Sequence, residues 1–238
     1  MQLELILSPA LYDSRQLSQH HTTVAVDVLR ATSSVCAAFQ AGADSVLPLD
    51  SLEPLPSLFE QGYTIAAERD GKKVPNAQCG NSPTEYLTMN LKGQRLAYST
   101  TNGTVSILRA RQSDRLYVGA FANLTALKER LLSDRTERLV ILCSGWKGDP
   151  CIEDTLFGGA LAEALGNATG VSFVNDAAMM AQDLWLSVRG DLFAYCRKAT
   201  HVHRLQRLNY DNDIRWCLQV DTCTVVPRYD IDLQMLVL

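Results

Sequence analysis

Arg95-Leu96-Ala97-Tyr98-Ser99-Thr100-Thr101-Asn102-Gly103-Thr104-Val105-Ser106-Ile107-Leu108-Arg109-Ala110-Arg111 reads as a short buried strand, a hydroxyl-rich turn and a helix. Residues 95–98 have strand-like apolar and aromatic content, and over 105–111 the apolar residues recur at helical spacing. A strand that passes directly into a helix is the unit from which parallel sheets are built, so this stretch points to an α/β fold. The turn between them is also a candidate anion site. Gly103 lets the backbone approach a ligand, the first helical amides lack internal partners, and the hydroxyls of Thr100, Thr101 and Thr104 add donors. The plainer alternative is that Thr104 caps the helix and Asn102-Gly103 only turns the chain.

The same unit recurs outward from this stretch. Buried strands are expected over residues 3–7, 23–28, 45–49, 64–67, 95–98, 115–119, 138–143 and 224–227. Helices are expected over 32–41, 52–61, 83–89, 104–111, 123–133, 152–164, 175–188 and 201–208. Their alternation predicts a mostly parallel or mixed sheet with helices on both faces. From about 160 to 216 the strand signal nearly vanishes, so the late apolar segments 224–227 and 231–238 must return to a sheet already built. No low-complexity linker or sequence repeat is visible, and the chain reads either as one domain over 1–238 or as two similar halves fused, near 1–120 and 121–238. The apolar tail 233–238 completes this chain's own sheet or pairs with a neighbour's, which leaves a homo-oligomer open.

With 47% hydrophobic and 20% charged residues, 238 residues suffice for a sizeable core. The net charge of -4 and the lack of a basic block argue against nucleic acid as a partner. Seven cysteines, an odd number without a CxxC pair, suggest a reducing compartment and no structural zinc. The N-terminal Met1-Gln2-Leu3-Glu4-Leu5 is not that of a signal peptide, and no window approaches the ~20 apolar residues that span a bilayer, so a cytoplasmic location away from membranes is expected.

Five charged groups sit where strands end or helices begin. Asp27-Val28-Leu29-Arg30-Ala31-Thr32-Ser33 places an acid and a cation on one rim, with Thr32 or Ser33 to cap the next helix. Asp27 suits a hard cation or a nucleophilic role and Arg30 suits phosphate, while a structural Asp–Arg pair is the alternative. The Asp-x-Asp phosphatase pattern is not met, because Leu29 stands at its second acid. Glu68-Arg69 opens an irregular stretch, 69–83, that closes with Asn81-Ser82-Pro83, where Asn81 and Ser82 are placed to cap a helix or meet a ligand. Glu153-Asp154 lies in a helical first turn, which the helix dipole favours and which also offers Mg²⁺ ligands alongside Asp27. Asp176 begins a helix and is read as its cap. His201 and Arg204 share a helical face at i, i+3, the first as a candidate general acid and the second for an anion. No GxxxxGK[ST] or GxGxxG loop occurs, which ranks nucleotide enzymes lower.

Together, Asp27-x-Leu29-Arg30-Ala31-Thr32-Ser33, Glu68-Arg69, Asn81-Ser82-Pro83-x-Glu85-Tyr86, Thr100-Thr101-Asn102-Gly103-Thr104, Glu153-Asp154 with Gly159, Asp176-Ala177-Ala178, His201-x-x-Arg204-Leu205 and Val226-Pro227 resemble the 2-phosphosulfolactate phosphatase family almost end to end. The resemblance implies a three-layer α/β/α fold and a Mg²⁺-dependent hydrolase that takes 2-phospho-3-sulfolactate, a small phosphorylated and sulfonated anion, to 3-sulfolactate. It leads to Asp27, His201 and Arg30 as catalytic residues and to Asp27, Glu153 and Asp154 as metal ligands. Arg30, Arg69, Asn81, Ser82, Thr100, Thr101, Asn102, Gly103, Thr104 and Arg204 are expected to hold the substrate. Two departures are visible: Glu153 stands where some relatives carry Asp, and Asn209 replaces a glycine after the His-Arg helix. A phosphatase of another small phosphorylated hydroxy acid and a non-catalytic anion-binding protein remain the alternatives.

Overall fold

The computed structural model describes residues 1–13 and 20–238. Its strands are β1 (Gln2–Ile6), β2 (Thr22–Val26), β3 (Ser45–Leu49), β4 (Thr64–Arg69), β5 (Lys72–Lys73), β6 (Arg95–Ser99), β7 (Arg115–Gly119), β8 (Arg138–Cys143), β9 (Ser172–Phe173), β10 (Arg228–Asp230) and β11 (Met235–Val237). The helices are α1 (Pro9–Asp13), α2 (Ala31–Gln40), α3 (Leu55–Glu60), α4 (Pro83–Tyr86), α5 (Gly103–Arg109), α6 (Leu124–Ser133), α7 (Ile152–Thr169), α8 (Asp176–Val188), α9 (Leu192–Cys196), α10 (Thr200–Gln206) and α11 (Asp211–Cys217). The strands form one sheet in the order β5-β4-β6-β3-β11-β10-β7-β2-β8-β1-β9.

Two parallel blocks make up most of that sheet. One joins β4, β6 and β3, and the other joins β7, β2, β8, β1 and β9. The antiparallel hairpin of β10 and β11 lies between them, bonded through Arg228 to Tyr117 and through Leu236 to Val46. The tail thus completes this chain's own sheet. The expected strand at 224–227 is not one: Asn123 takes up the Val225 carbonyl and Val118 the Pro227 carbonyl, so this run straps the sheet without joining a ladder.

Alternation along the strands sorts the core into faces. Leu3, Leu5, Val24, Val26, Leu139 and Ile141 point toward α6, α7 and α8, and Ile6, Ala25, Val140 and Leu142 point toward α2 and α5. Val46, Leu96 and Tyr98 of the other block belong to that second core, so α2 and α5 pack against both blocks. The result is the three-layer α/β/α arrangement. Glycine matters where layers touch: a Cβ on Gly159 of α7 would lie 2.0 Å from the Ala181 carbonyl oxygen of α8. Among the described residues no helix is long and apolar enough to cross a membrane.

Candidate active site

A narrow cleft opens at the strand ends, walled by Asp27, Leu29, Arg30, Glu68, Gly71, Asn81, Thr101, Asn102, His201, Arg204 and Leu205. Parallel strands deliver ligand-binding groups at their carboxyl ends. Here both blocks contribute: Asp27 follows β2, Glu68 closes β4 and Thr101 follows β6. The close approach depends on Gly103, whose Cβ would fall 2.3 Å from the Ala31 Cβ and 2.7 Å from Asp27 Oδ2. Gly103 therefore serves packing against the carboxylate.

Asp27 is 7% exposed and sits at the head of α2, with Oδ1 accepting the Ala31 amide at 3.3 Å. The Thr32 hydroxyl accepts the Asp27 amide and the Ser33 hydroxyl donates to the Val28 carbonyl, so the acid caps the helix and these hydroxyls brace the turn. Burial raises the Asp27 carboxyl from 3.8 to about 6; His201 and the Ala31 amide pull it down, and Glu68 and Glu153 push it up.

Glu153 and Asp154 divide the work of the α7 first turn. Glu153 Oε1 lies 2.7 Å from His201 Nδ1, while Oε2 is buried without a hydrogen-bond partner. Asp154 accepts the Val28 amide at 2.8 Å and the Gly145 amide at 3.0 Å, tying the loop after β8 to the Asp27 turn. Burial, Asp27 and Glu153 all raise its carboxyl well above the usual range, against those two amides. With Nδ1 occupied by Glu153, the imidazole keeps Nε2 as its second functional atom.

Arg30 and Arg204 play different parts. Arg30 is 2% exposed, bonds Asp213 at 2.7 Å and the Gly71 carbonyl at 2.9 Å, and lies 3.7 Å from the Tyr210 ring centroid. Burial opposes its charge, but the Asp213 carboxylate outweighs that and raises its pKa. Its acidic partner is Asp213, where the sequence suggested Asp27. Arg204 makes no ion pair among the described residues; its guanidinium stacks 4.8 Å from the Trp146 ring centroid. That leaves a cation in the wall for an anion to meet.

Other expected ligands lie elsewhere. Arg69 bonds the Glu68 carbonyl and the Ser99 hydroxyl, and Ser82 caps α4 through the Glu85 amide while donating to Asp213. Neither lines the cleft. Thr100 and Thr104 bond each other reciprocally and spend their donors on the turn. Glu68 is buried and accepts the Gly71 amide at 2.6 Å and the Thr101 amide at 2.7 Å. Asn81 Oδ1 accepts from the Tyr98 hydroxyl, which leaves its amide NH₂ as the donor, and Thr101 and Asn102 also face the cleft. The cap of α8 is Asn175, which accepts the Ala178 amide; Asp176 occupies the first turn.

A family model described as 2-phosphosulpholactate phosphatase matches residues 6–231. The chain belongs to the 2-phosphosulpholactate phosphatase family. Among similar proteins, one from Prochlorococcus marinus (strain SARG / CCMP1375) is 39% identical over 213 residues, covering 87% of this chain and 88% of its own. One from Synechococcus sp. (strain RCC307) is 38% identical over 216 residues, covering 87% and 88%. A third, from Microcystis aeruginosa (strain NIES-843 / IAM M-2473), is 33% identical over 226 residues, covering 91% and 94%. All three are named "Probable 2-phosphosulfolactate phosphatase".

The family is one of phosphoric monoester hydrolases, and the cleft suits a small phosphorylated substrate: cations and amide donors face a group of buried acids. Two residues with no site signal in the sequence support the cleft. Asp213 organises Arg30, Ser82 and Thr84 from a helix start whose acids resemble ordinary dipole partners. Trp146, which stacks on Arg204, lies in a glycine-rich loop. One departure found a structural reason: Asn209 has φ 63°, the left-handed conformation that glycine tolerates best and asparagine next.

Proposed function

We propose that this chain hydrolyses 2-phospho-3-sulfolactate to 3-sulfolactate and phosphate with the help of Mg²⁺. The observation that carries the reading is one cleft with buried acids, a Glu153-oriented imidazole and an Arg204 unpaired among the described residues. Asp27 and the orphaned Oε2 of Glu153 fit a hard cation, which takes oxygen ligands; Asp154 has both oxygens on amides and holds the Val28 turn to the Gly145 loop beside them. When bound, Mg²⁺ supplies charge neutralisation at the phosphate.

The protein's own groups do the rest. Arg204, the Asn81 amide and the hydroxyl of Thr101 orient the anion, and Arg30 keeps the cleft wall in place through Asp213 and Gly71. His201, held at Nδ1 by Glu153, gives a proton from Nε2 to the departing alkoxide, while a water or Asp27 itself attacks phosphorus in line. Phosphoryl transfer needs chiefly this positioning and charge complementarity.

The test is phosphate release from racemic 2-phospho-3-sulfolactate with Mg²⁺ or with EDTA, beside phosphoglycolate, phospholactate and an aryl phosphate. Mg²⁺-dependent release that is strongest for the sulfonated compound is expected. Release only from the others moves the substrate to another phosphorylated hydroxy acid, and none from any compound points to a binding protein.

A further inference from the structure

Cys151, Glu153 and His201 bring a thiol, a carboxylate and an imidazole together where α7 begins and α10 passes over it, with ligand atoms all within 4.8 Å of one another. His201 Nδ1 lies 2.7 Å from Glu153 Oε1 and 3.9 Å from Cys151 Sγ. Among the described residues this is the one such group of three. Its donors differ from those Mg²⁺ prefers: sulfur and imidazole nitrogen select zinc and its borderline-soft neighbours. The site is enclosed, with Cys151 and Glu153 buried and the His201 side chain 10% exposed. A second observation points to a ligand, namely the buried Glu153 Oε2 that no hydrogen bond satisfies. Cys151 also stands at the N-cap of α7, where a hydroxyl or carboxamide is usual, and its side chain caps nothing.

We propose that Cys151, Glu153 and His201 form a binding site for a borderline-soft divalent cation, Zn²⁺ foremost, whose occupancy switches the enzyme off. The three donors leave a fourth position of a tetrahedral site open to water or substrate oxygen. The ion replaces the thiol proton of Cys151, which passes to water as the sulfur–metal bond forms, so no oxidant or reductant is needed. Ligation through Nδ1 displaces the proton shared with Glu153 and leaves the imidazole neutral with its one proton on Nε2; His201 then cannot become imidazolium, and that Nε2–H is too weak an acid to serve the leaving group. This inhibitory half rests on the phosphatase reading, whereas the binding half does not.

Co²⁺ titrated into the metal-free full chain, followed by its absorption spectrum, reads the binding half without any substrate. A thiolate-to-cobalt charge-transfer band that saturates at a single equivalent, is displaced by Zn²⁺ and is lost in Cys151→Ser is expected. The inhibitory half is read as Zn²⁺ inhibition of phosphate release at saturating Mg²⁺. Cys151→Ser and Cys151→Ala are expected to keep wild-type turnover and melting while needing at least about tenfold more Zn²⁺ for half inhibition. No band, a band that survives Cys151→Ser, or equal Zn²⁺ sensitivity in both variants would overturn the proposal. If no substrate releases phosphate, the cobalt spectrum alone decides.

Discussion

Asp27 stands in opposed fields: the head of α2 favours its charge, while burial raises its carboxyl to about 6. Because the folded protein binds this proton more tightly than the unfolded chain does, the stabilisation from Asp27 is complete below about pH 4 and is lost as pH rises through about 6. Above that, ionised Asp27 costs the metal-free fold on the order of 3 kcal/mol. In the presence of EDTA, Asp27→Asn is therefore expected to melt above the wild type at about pH 8, with the gap closing below about pH 4. In Mg²⁺ its turnover is expected to fall roughly 10²–10³-fold. Thermal melts across pH, beside phosphate-release assays, check both. Arg204→Ala removes a charged donor that no acid of the described chain uses, so KM should rise about tenfold or more with melting unchanged. An unchanged KM would move the anion away from α10.

Elements explain why some of the site was legible and some was not. Asp27, His201 and Arg204 could be read because each sits at a strand end or on one helical face, and their local pattern survives folding. Arg69, Ser82, Thr100 and Thr104 have the same donor chemistry, yet their hydrogen bonds go to neighbouring loops and caps, which spacing along the chain does not reveal. Asp213 was hidden for the converse reason: its partner Arg30 lies 183 residues away, and only the packing of α11 beside α4 and the Asp27 turn joins them. Removing one member of so buried a pair leaves the other charge uncompensated. Asp213→Ala is expected to cost about 3–5 kcal/mol in urea unfolding. Asp213→Asn, which keeps an acceptor for the Ser82 and Thr84 hydroxyls, should cost less.

For the whole molecule, the alternation of strands and helices made the layered architecture readable, but strand order was not, since nothing local says that β10 and β11 lie between β7 and β3. Leu236, fully buried beside Val46, fastens that hairpin to one block. Leu236→Ala is expected to lose about 2–5 kcal/mol, measured by urea denaturation. Hydrogen exchange should also speed up in β3 as well as in β11. The hairpin's place has a further meaning for synthesis. A ribosome delivers every strand of both blocks before residue 228, but the piece that joins them comes at 228–237. Nascent chains therefore carry an open sheet edge at β3 once residue 49 has emerged and a second at β7 once residue 119 has, and both stay open until residues 228–237 clear the exit tunnel.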